Sequence, residues 1–128
     1  MLKSLIIFDN EESKVLFRLL DDDFANEHLE VVVGFLKAID TWASEFSGQG
    51  ADIFQTENLR ITFEKSAEFN LTFALYTDLS EPLEKDKERL ETIKYMFVHN
   101  FWEVFTSDKR KNLTNEDRQK FKALLESL

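Results

Sequence analysis

Cysteine is absent from the chain, proline occurs once and glycine three times. Without cysteine the protein has neither a disulfide framework nor a thiolate zinc site, and this composition suits a reducing compartment. With so little proline and glycine, and with no low-complexity stretch, the sequence predicts no disordered linker. We therefore expect residues 1–128 to form a single domain.

Long hydrophobic runs are missing as well. The longest apolar stretch, Val31–Leu36, contains Gly34 and falls far short of the ~20 residues that span a bilayer. The opening residues carry only Lys3 as a cation, so we expect no signal peptide. The formal net charge of −9 argues against binding to nucleic acid and against direct docking on anionic lipid. We expect a cytoplasmic protein that does not insert into membranes and is recruited to them, if at all, through partners.

Residues that carry chemistry are also scarce. His28 and His99 are the only histidines, and both fall in predicted helices without an adjacent nucleophile. We interpret His28 as a solvated residue and His99 as a hydrogen-bonded residue near the core. The acidic run Asp21–Asp23 lacks the glycine and glutamate that a calcium-binding loop needs at its sixth and twelfth positions. We therefore expect no catalytic residue, no metal site, no cofactor and no enzymatic activity.

Apolar residues make up 43% of the chain, and their spacing predicts its elements. Alternation and strand-forming residues predict strands, and steps of three and four residues predict helices. The predicted strands are 2–8, 14–20, 51–56, 58–65 and 69–77, and the predicted helices are 26–46, 80–105 and 114–128. The order β-β-α-β-β-β-α-α predicts an α+β fold with one five-stranded antiparallel or mixed sheet. One helix should cover one face of this sheet, and two helices the other.

Large and small residues alternate in the predicted strand 69–77. Small side chains on one face allow a helix to pack closely there, so this strand is predicted to be central. The strand 2–8 should lie beside it. The strand 14–20 is then left at a sheet edge that is open to strand addition, where Val15, Phe17 and Leu19 are candidate partner-binding residues.

Two apolar stripes run along the predicted helix 26–46. One stripe should pack on the sheet, and the second, with Val31, Phe35 and Trp42, lies about 100° round the helix. Aromatic side chains exposed on a rigid helix are typical of binding hot spots, so these three residues are candidate contacts with a partner. A wide contact with a curved sheet is an equally good interpretation.

A similar line of apolar residues occurs on the predicted helix 80–105. It comprises Tyr95, Val98, Trp102 and Phe105. The short final helix needs an apolar surface to cover, so we expect these residues to be buried beneath it. The motif Thr114–Asp117 resembles a capping box and marks the start of that final helix.

The opening Met1-Leu-Lys-Ser-Leu-Ile-Ile-Phe-Asp, followed by Ser13-Lys-Val-Leu-Phe-Arg, is similar to the first hairpin of longin domains and small adaptin subunits. The order of elements resembles the profilin-like longin fold over nearly the whole chain. Longin domains occur in SNAREs, adaptor and coat subunits, TRAPP-type tethers and guanine-nucleotide-exchange complexes. The chain resembles a stand-alone member without SNARE heptads, for which we expect no direct role in membrane fusion.

The resemblance to longin domains implies a non-enzymatic protein-interaction module. Such a module acts as a subunit or platform in vesicle trafficking or in the regulation of small GTPases. The implied partner is a small GTPase or a longin-like or roadblock-like subunit, which includes a second copy of this chain in a homodimer. A small-ligand sensor of PAS type is the alternative, since PAS domains also have two strands, helical material and then three strands. A cavity lined by phenylalanines would favour that alternative.

Overall fold

The computed structural model describes residues 4–9, 14–19, 34, 37–38, 41, 53–55, 57, 60–66, 69–77, 79–106 and 113–127. The strands are β1 (Ser4–Asp9), β2 (Lys14–Leu19), β3 (Ile53–Gln55), β4 (Arg60–Ser66) and β5 (Leu71–Thr77). Two helices follow them, α1 (Leu83–Thr106) and α2 (Asn115–Glu126). Each of these elements lies close to its predicted position, which confirms the strand pair, the strand triplet and the two C-terminal helices.

The predicted helix 26–46 lies mostly outside the described residues. Within it the structure describes Gly34, Lys37, Ala38 and Thr41, and all four are helical. These positions are spaced three and four residues apart, so they share one face of a helix. Gly34, Ala38 and Thr41 are exposed on that face.

The five strands form one sheet in the order β2-β1-β5-β4-β3. Every neighbouring pair is antiparallel, so of the two predicted arrangements the antiparallel one is present. Strand β5 is central and pairs with β1, as the sequence predicts. Strand β2 is an edge strand, which confirms the predicted position of the opening hairpin.

Strand β5 is buried along its whole length because both faces of the sheet are covered there. On one face Leu71, Phe73 and Leu75 join the main core, and on the other face Ala74 and Tyr76 join a second cluster. This division follows the two-residue period of a strand. The alternation in the sequence therefore placed each residue on the correct face.

Helices α1 and α2 pack on the same face of the sheet and form the main core with it. From the helices this core takes Leu90, Ile93, Phe97, Phe101, Phe121 and Leu125. The rings of Phe97 and Phe121 meet edge to face, with centroids 5.3 Å apart, an orientation that aromatic pairs prefer. Two helices on one face agree with the prediction.

The opposite face of the sheet is buried too. Ile6, Phe8, Ile61, Phe63 and Tyr76 are each at most 4% exposed, and half-buried Val15 and Phe54 pack beside them. The sequence predicts that the helix 26–46 covers this face. No other predicted element is left to do so.

Helix α1 is interrupted near its C-terminal end. Phe101 has φ −121° and ψ 20°, which lies outside the helical region. The side chain of Asn100, the residue before it, donates a hydrogen bond to the carbonyl oxygen of Met96 at 2.7 Å. The sequence predicts a continuous helix here, because nothing in the apolar pattern marks the break.

No helix within the described part of the chain is both long and apolar enough to cross a membrane.

Asp9 corrects the predicted boundary of the first turn. The predicted first strand ends at residue 8, whereas the structure makes Asp9 the last residue of β1. It lies opposite Lys14 of β2 and Leu71 of β5, and it is fully buried. A strand flanked on both sides by other strands continues as long as its backbone finds partners, whatever the polarity of the final side chain.

Candidate functional site

Helix α1 presents two large aromatic side chains to solvent. Tyr95 is 69% exposed and Trp102 is 50% exposed. They are seven residues apart in the chain, and the interruption of the helix at Phe101 lies between them. Exposed His99 lies between them. We call Tyr95, His99 and Trp102 the aromatic face of α1.

The aromatic face corrects two predictions. Tyr95 and Trp102 are not covered by the final helix, and His99 is exposed rather than placed near the core. For Tyr95 the cause is helical phase, because Phe97 points to the sheet and Tyr95 lies on the opposite side of the helix. Trp102 follows the break at Phe101, and its ring lies at the margin of the core beside Phe69. Val98 is half-buried, and the side chain of Phe105 lies outside the described residues.

Helix α2 finds its apolar surface elsewhere. Its Phe121 ring meets Phe17 of β2 edge to face at 5.0 Å and also contacts Phe97 and Phe101. Phe121 is fully buried. The final helix therefore packs on this cluster and not on the line from Tyr95 to Phe105, which the sequence predicted it to cover.

Trp102 is exposed but supported from below. Its ring lies 5.4 Å from the ring of Phe69, tilted by 51°, and Phe69 is buried beside the central strand. An aromatic side chain that rests on the core loses little freedom when a partner covers it. Trp102 is therefore already ordered for contact with a partner.

The same side of α1 is acidic nearer its start. Glu84, Glu88 and Glu91 are all exposed, and they continue the line of the aromatic face at steps of three and four residues. A partner that covers this side of α1 would meet carboxylates over one half and aromatic rings over the other. Such a surface fits a partner with an apolar patch bordered by cations.

Helix α1 is fixed at its start by a buried ion pair. Arg60 Nη1 donates to Asp86 Oδ2 at 2.8 Å, and the Thr77 hydroxyl donates to the same oxygen at 2.7 Å. The side chain of Asp86 is fully buried, and that of Arg60 is 9% exposed. Arg60 and Thr77 face each other in the β4–β5 register, so Asp86 ties the first turn of α1 to the end of two strands.

Further contacts hold the middle of α1 and the turn before it. Arg60 also donates to the carbonyl oxygen of Glu81 at 3.0 Å, and the Glu81 carboxylate accepts from Arg89 at 3.0 Å. One turn farther along, Lys94 donates to Glu64 of β4 at 3.0 Å. These polar contacts, together with the buried side of the helix, hold the aromatic face in one orientation.

The strand residues that the sequence nominates for binding lie at the expected edge. Val15 is half-buried, Phe17 is 3% exposed, and the side chain of Leu19 lies outside the described residues. Phe17 packs on Phe121, so it belongs to the core rather than to an open surface. A role for these strand residues in binding stays a prediction.

The helix residues nominated for binding, Val31, Phe35 and Trp42, all lie outside the described residues, and their role also stays a prediction. Ala38 lies between Phe35 and Trp42 at steps of three and four residues, and it is exposed. The sequence missed the aromatic face as a binding surface because apolar spacing alone does not tell a buried stripe from an exposed one. The predicted helix 80–105 nevertheless has two apolar lines, which is more than one face of a sheet can cover. This excess is the feature of the sequence that indicates an exposed apolar surface.

Chemistry-bearing groups do not gather elsewhere in the described ranges. No three histidine, aspartate or glutamate side chains there come close enough together to hold a metal ion. The buried Asp86 Oδ2 accepts from Arg60 and Thr77, and Oδ1 lies 3.6 Å from Arg89 Nη1 in an ion pair. The aromatic face of α1 is therefore the candidate functional site.

Comparison with known proteins defines the fold and nothing finer. No protein-family model matches the chain, and no curated protein matches it. Myxococcus xanthus MglB has a similar structure, with a TM-score of 0.61 and 9% sequence identity over 85% of this chain and 83% of that chain. The chain has a longin/roadblock-type fold. At this identity the likeness shows the fold alone.

A second solved structure, MglB with tetrameric arrangement, matches less well. Its TM-score is 0.47, with 17% identity over 67% of each chain. A score of that size supports no conclusion about this chain. The similarity that counts is therefore the fold of the Myxococcus xanthus protein.

Proposed function

We propose that this chain is a non-enzymatic protein-interaction module of longin type that docks a small GTPase. It acts as a subunit or platform in the regulation of that GTPase. The aromatic face of α1, with Tyr95 69% and Trp102 50% exposed, carries the proposal. The longin/roadblock-type fold supports it, because longin domains serve widely as platforms for such partners.

The exposed aromatic side chains have an energetic cost unless a partner covers them. Tyrosine and tryptophan are enriched among the few interface residues that contribute most of the binding free energy. Each ring buries roughly 150–250 Å² when fully covered. The surrounding glutamates of α1 then supply a polar rim, which adds specificity and speeds association more than it adds affinity.

The proposal also includes a second subunit with a fold of the same type. The chain pairs with a longin-like or roadblock-like subunit or with a second copy of itself, in the cytoplasm, and meets membranes through its partners. Vesicle transport is the process in which we place it. Light scattering on the purified chain tests self-pairing, for which twice the monomer mass is expected. A strict monomer at high concentration contradicts self-pairing and leaves GTPase docking untouched.

Binding to purified small GTPases tests the proposed docking directly. The probes are Rab-like and Arf-like GTPases, each loaded with GDP or with a non-hydrolysable GTP analogue, and the readout is biolayer interferometry. We expect at least one GTPase to bind. Tyr95→Ala and Trp102→Ala should each weaken that binding by about tenfold or more.

Lys87→Ala is the matched control for the aromatic variants. Lys87 is exposed on the same helix but lies away from the aromatic face, so we expect its removal to change affinity by less than about twofold. Circular dichroism confirms that each variant is folded. Failure of every GTPase to bind, or equal binding by the aromatic and control variants, contradicts the proposal.

A further inference from the structure

A groove of about 520 Å³ runs between the edge strand β2 and helix α2. Three consecutive strand residues, Val15, Leu16 and Phe17, form one wall. Four helix residues form the other wall: Asn115, Arg118, Gln119 and Lys122. Steps of three and four residues place these four on a single face of α2. The groove is thus bounded by a sheet edge on one side and a polar helix face on the other.

The charge of the groove is opposite to that of the whole chain. The chain has a net charge of −9, yet the described lining contains Arg118 and Lys122 and no acidic residue. Asn115 and Arg118 of the lining lie in the first turn of α2, where the helix dipole favours negative charge. Among the described lining residues the groove therefore favours an anionic occupant.

Arg118 hydrogen-bonds to both walls of the groove and has further N–H donors. Its Nε donates to the carbonyl oxygen of Leu16 at 3.2 Å, and Nη1 donates to Asn115 Oδ1 at 3.3 Å. The Leu16 carbonyl therefore points away from the sheet into the groove. Arginine has five N–H donors, and these two bonds leave donors on Nη2 without a partner among the described residues.

Besides the cations of α2, the edge strand β2 can contact a bound peptide. Within the described sheet β2 pairs with β1 alone, and such an edge can accept an added strand beyond the Leu16 carbonyl that Arg118 already contacts. Half-buried Val15 lines the groove beside the backbone groups of this edge and offers apolar contact. An extended peptide meets such an edge with its backbone and places alternate side chains on either side.

We propose that this groove binds an extended acidic segment of a partner protein. Its backbone runs between β2 and α2, a carboxylate pairs with Arg118 and Lys122, and an apolar side chain contacts Val15. Asn115 and Gln119 hydrogen-bond its polar groups. The site lies on a different helix from the aromatic face of α1 and goes beyond GTPase docking, so either proposal can fail alone.

A peptide array followed by solution titration tests the groove. The array holds ten-residue peptides in which acidic, neutral amide or basic residues alternate with Val, Leu or Phe, and it is probed with the whole labelled chain. We expect retention of the acidic set. Fluorescence anisotropy with the best acidic peptide should then show binding that weakens as salt is raised.

Variants on α2 locate the binding. Arg118→Gln should weaken peptide binding by about tenfold or more, because hydrogen bonds to a charged group are lost. Lys122→Gln should weaken it roughly two- to fivefold. Lys122 is exposed, so its variant keeps the test sound if Arg118→Gln unfolds the chain. Lys120→Gln is the matched control, since it removes the same charge from the same helix outside the groove and should leave binding unchanged.

Four results of the peptide experiments would overturn the assignment. They are retention of no peptide, equal retention of acidic and neutral peptides, unchanged affinity in both groove variants, and an equal loss in Lys120→Gln. Vesicles containing phosphatidylserine provide a final arm. Capture by these vesicles that disappears in the groove variants would identify an anionic membrane as the ligand and would overturn the peptide assignment.

Discussion

At the scale of single residues, Asp86 is the polar group on which most depends. Its carboxylate is fully buried and accepts hydrogen bonds from Arg60 and Thr77. Removing one partner of a buried ion pair leaves the other charge without compensation. The polar attachment of the first turn of α1 to the sheet therefore depends on this side chain.

Asp86→Asn should lower the free energy of unfolding by roughly 3–5 kcal/mol, because the buried Arg60 loses its counter-charge. Urea denaturation measures the change. Glu88→Gln is the matched control, since it neutralises an exposed carboxylate on the same helix and should change stability by about 0.5 kcal/mol or less. Equal effects of the two substitutions would show that the ion pair contributes nothing.

Tyr76 gives a pH-dependent prediction. Burial raises the pKa of its hydroxyl from 10.0 to about 12. Between these values the unfolded chain loses the proton while the folded chain keeps it, so the unfolded state gains stability as pH rises. We expect the free energy of unfolding to fall by about 1.4 kcal/mol per pH unit from pH 10 towards 12.

Absorbance at 295 nm measures the ionisation of Tyr76 once Tyr95→Phe has removed the other tyrosine. The apparent pKa should be about 12 in the folded chain and about 10 in denaturant. Tyr76→Phe should remove this part of the alkaline loss of stability. Ionisation near pH 10 in the folded chain would show that the hydroxyl reaches water.

The sequence predicted the residues of the core better than those of the surface. Phe73 and Tyr76 were placed on opposite faces of β5 because strand alternation has a period of two. Tyr95 and Trp102 were placed wrongly because only the orientation of α1 decides which of its two apolar lines meets the sheet. The pair Arg60–Asp86 joins residues 26 positions apart, a separation at which local sequence patterns carry no information.

At the scale of elements, α2 depends on its capping box. The Thr114 hydroxyl accepts from the backbone N–H of Asp117, and the Asp117 carboxylate accepts from the backbone N–H of Thr114, each at 3.1 Å. These reciprocal bonds satisfy backbone donors that the helix itself cannot pair. The sequence predicts this motif, and the structure confirms it.

Thr114→Ala should lower the free energy of unfolding by about 1 kcal/mol, because the cap at the N-terminus of α2 is lost. Thermal and urea denaturation measure this change. Thr92→Ala is the control, since Thr92 is an exposed residue in the interior of α1 and alanine has the higher helix propensity. A loss of stability in Thr92→Ala that matches Thr114→Ala would contradict a specific role for the cap.

Element types and order followed from the sequence, whereas irregularities did not. Caps and turns have local signals, such as Thr114 with Asp117, so α2 begins close to its predicted start. The break at Phe101 has no such signal, because phenylalanine at this position fits the apolar period of a continuous helix. Packing of Phe101 against Phe97 and Phe121 accompanies the break, and it depends on contacts between separate elements.

At the scale of the whole molecule, one aromatic cluster joins the sheet to both helices. Phe121 contacts Phe17 of β2 and Phe97 and Phe101 of α1. Phe121→Ala should therefore lower the free energy of unfolding by roughly 3–5 kcal/mol, through lost burial and the cavity left behind. Urea denaturation measures it, with Lys120→Ala on the exposed side of α2 as the control. A cost below about 1 kcal/mol would mean that α2 contributes little to the core.

The overall arrangement was predictable because strand order and connection rules leave few alternatives. The central place of β5 and the edge position of β2 both follow from hydrophobic patterning. The functional surface was not predictable, because binding to a partner requires no fixed spacing of residues in the sequence. The groove beside β2 also needed the structure, since Arg118 reaches Leu16 across 102 residues.

Fluorine NMR of the chain labelled with 5-fluorotryptophan tests the central claim most directly. The chain has two tryptophans, Trp42 and Trp102, and Trp102→Phe assigns their resonances. On addition of nucleotide-loaded small GTPases we expect the Trp102 resonance to shift or broaden for at least one of them, because that ring becomes covered. A Trp102 resonance that no GTPase perturbs, or a shift confined to Trp42, would contradict docking on the aromatic face of α1.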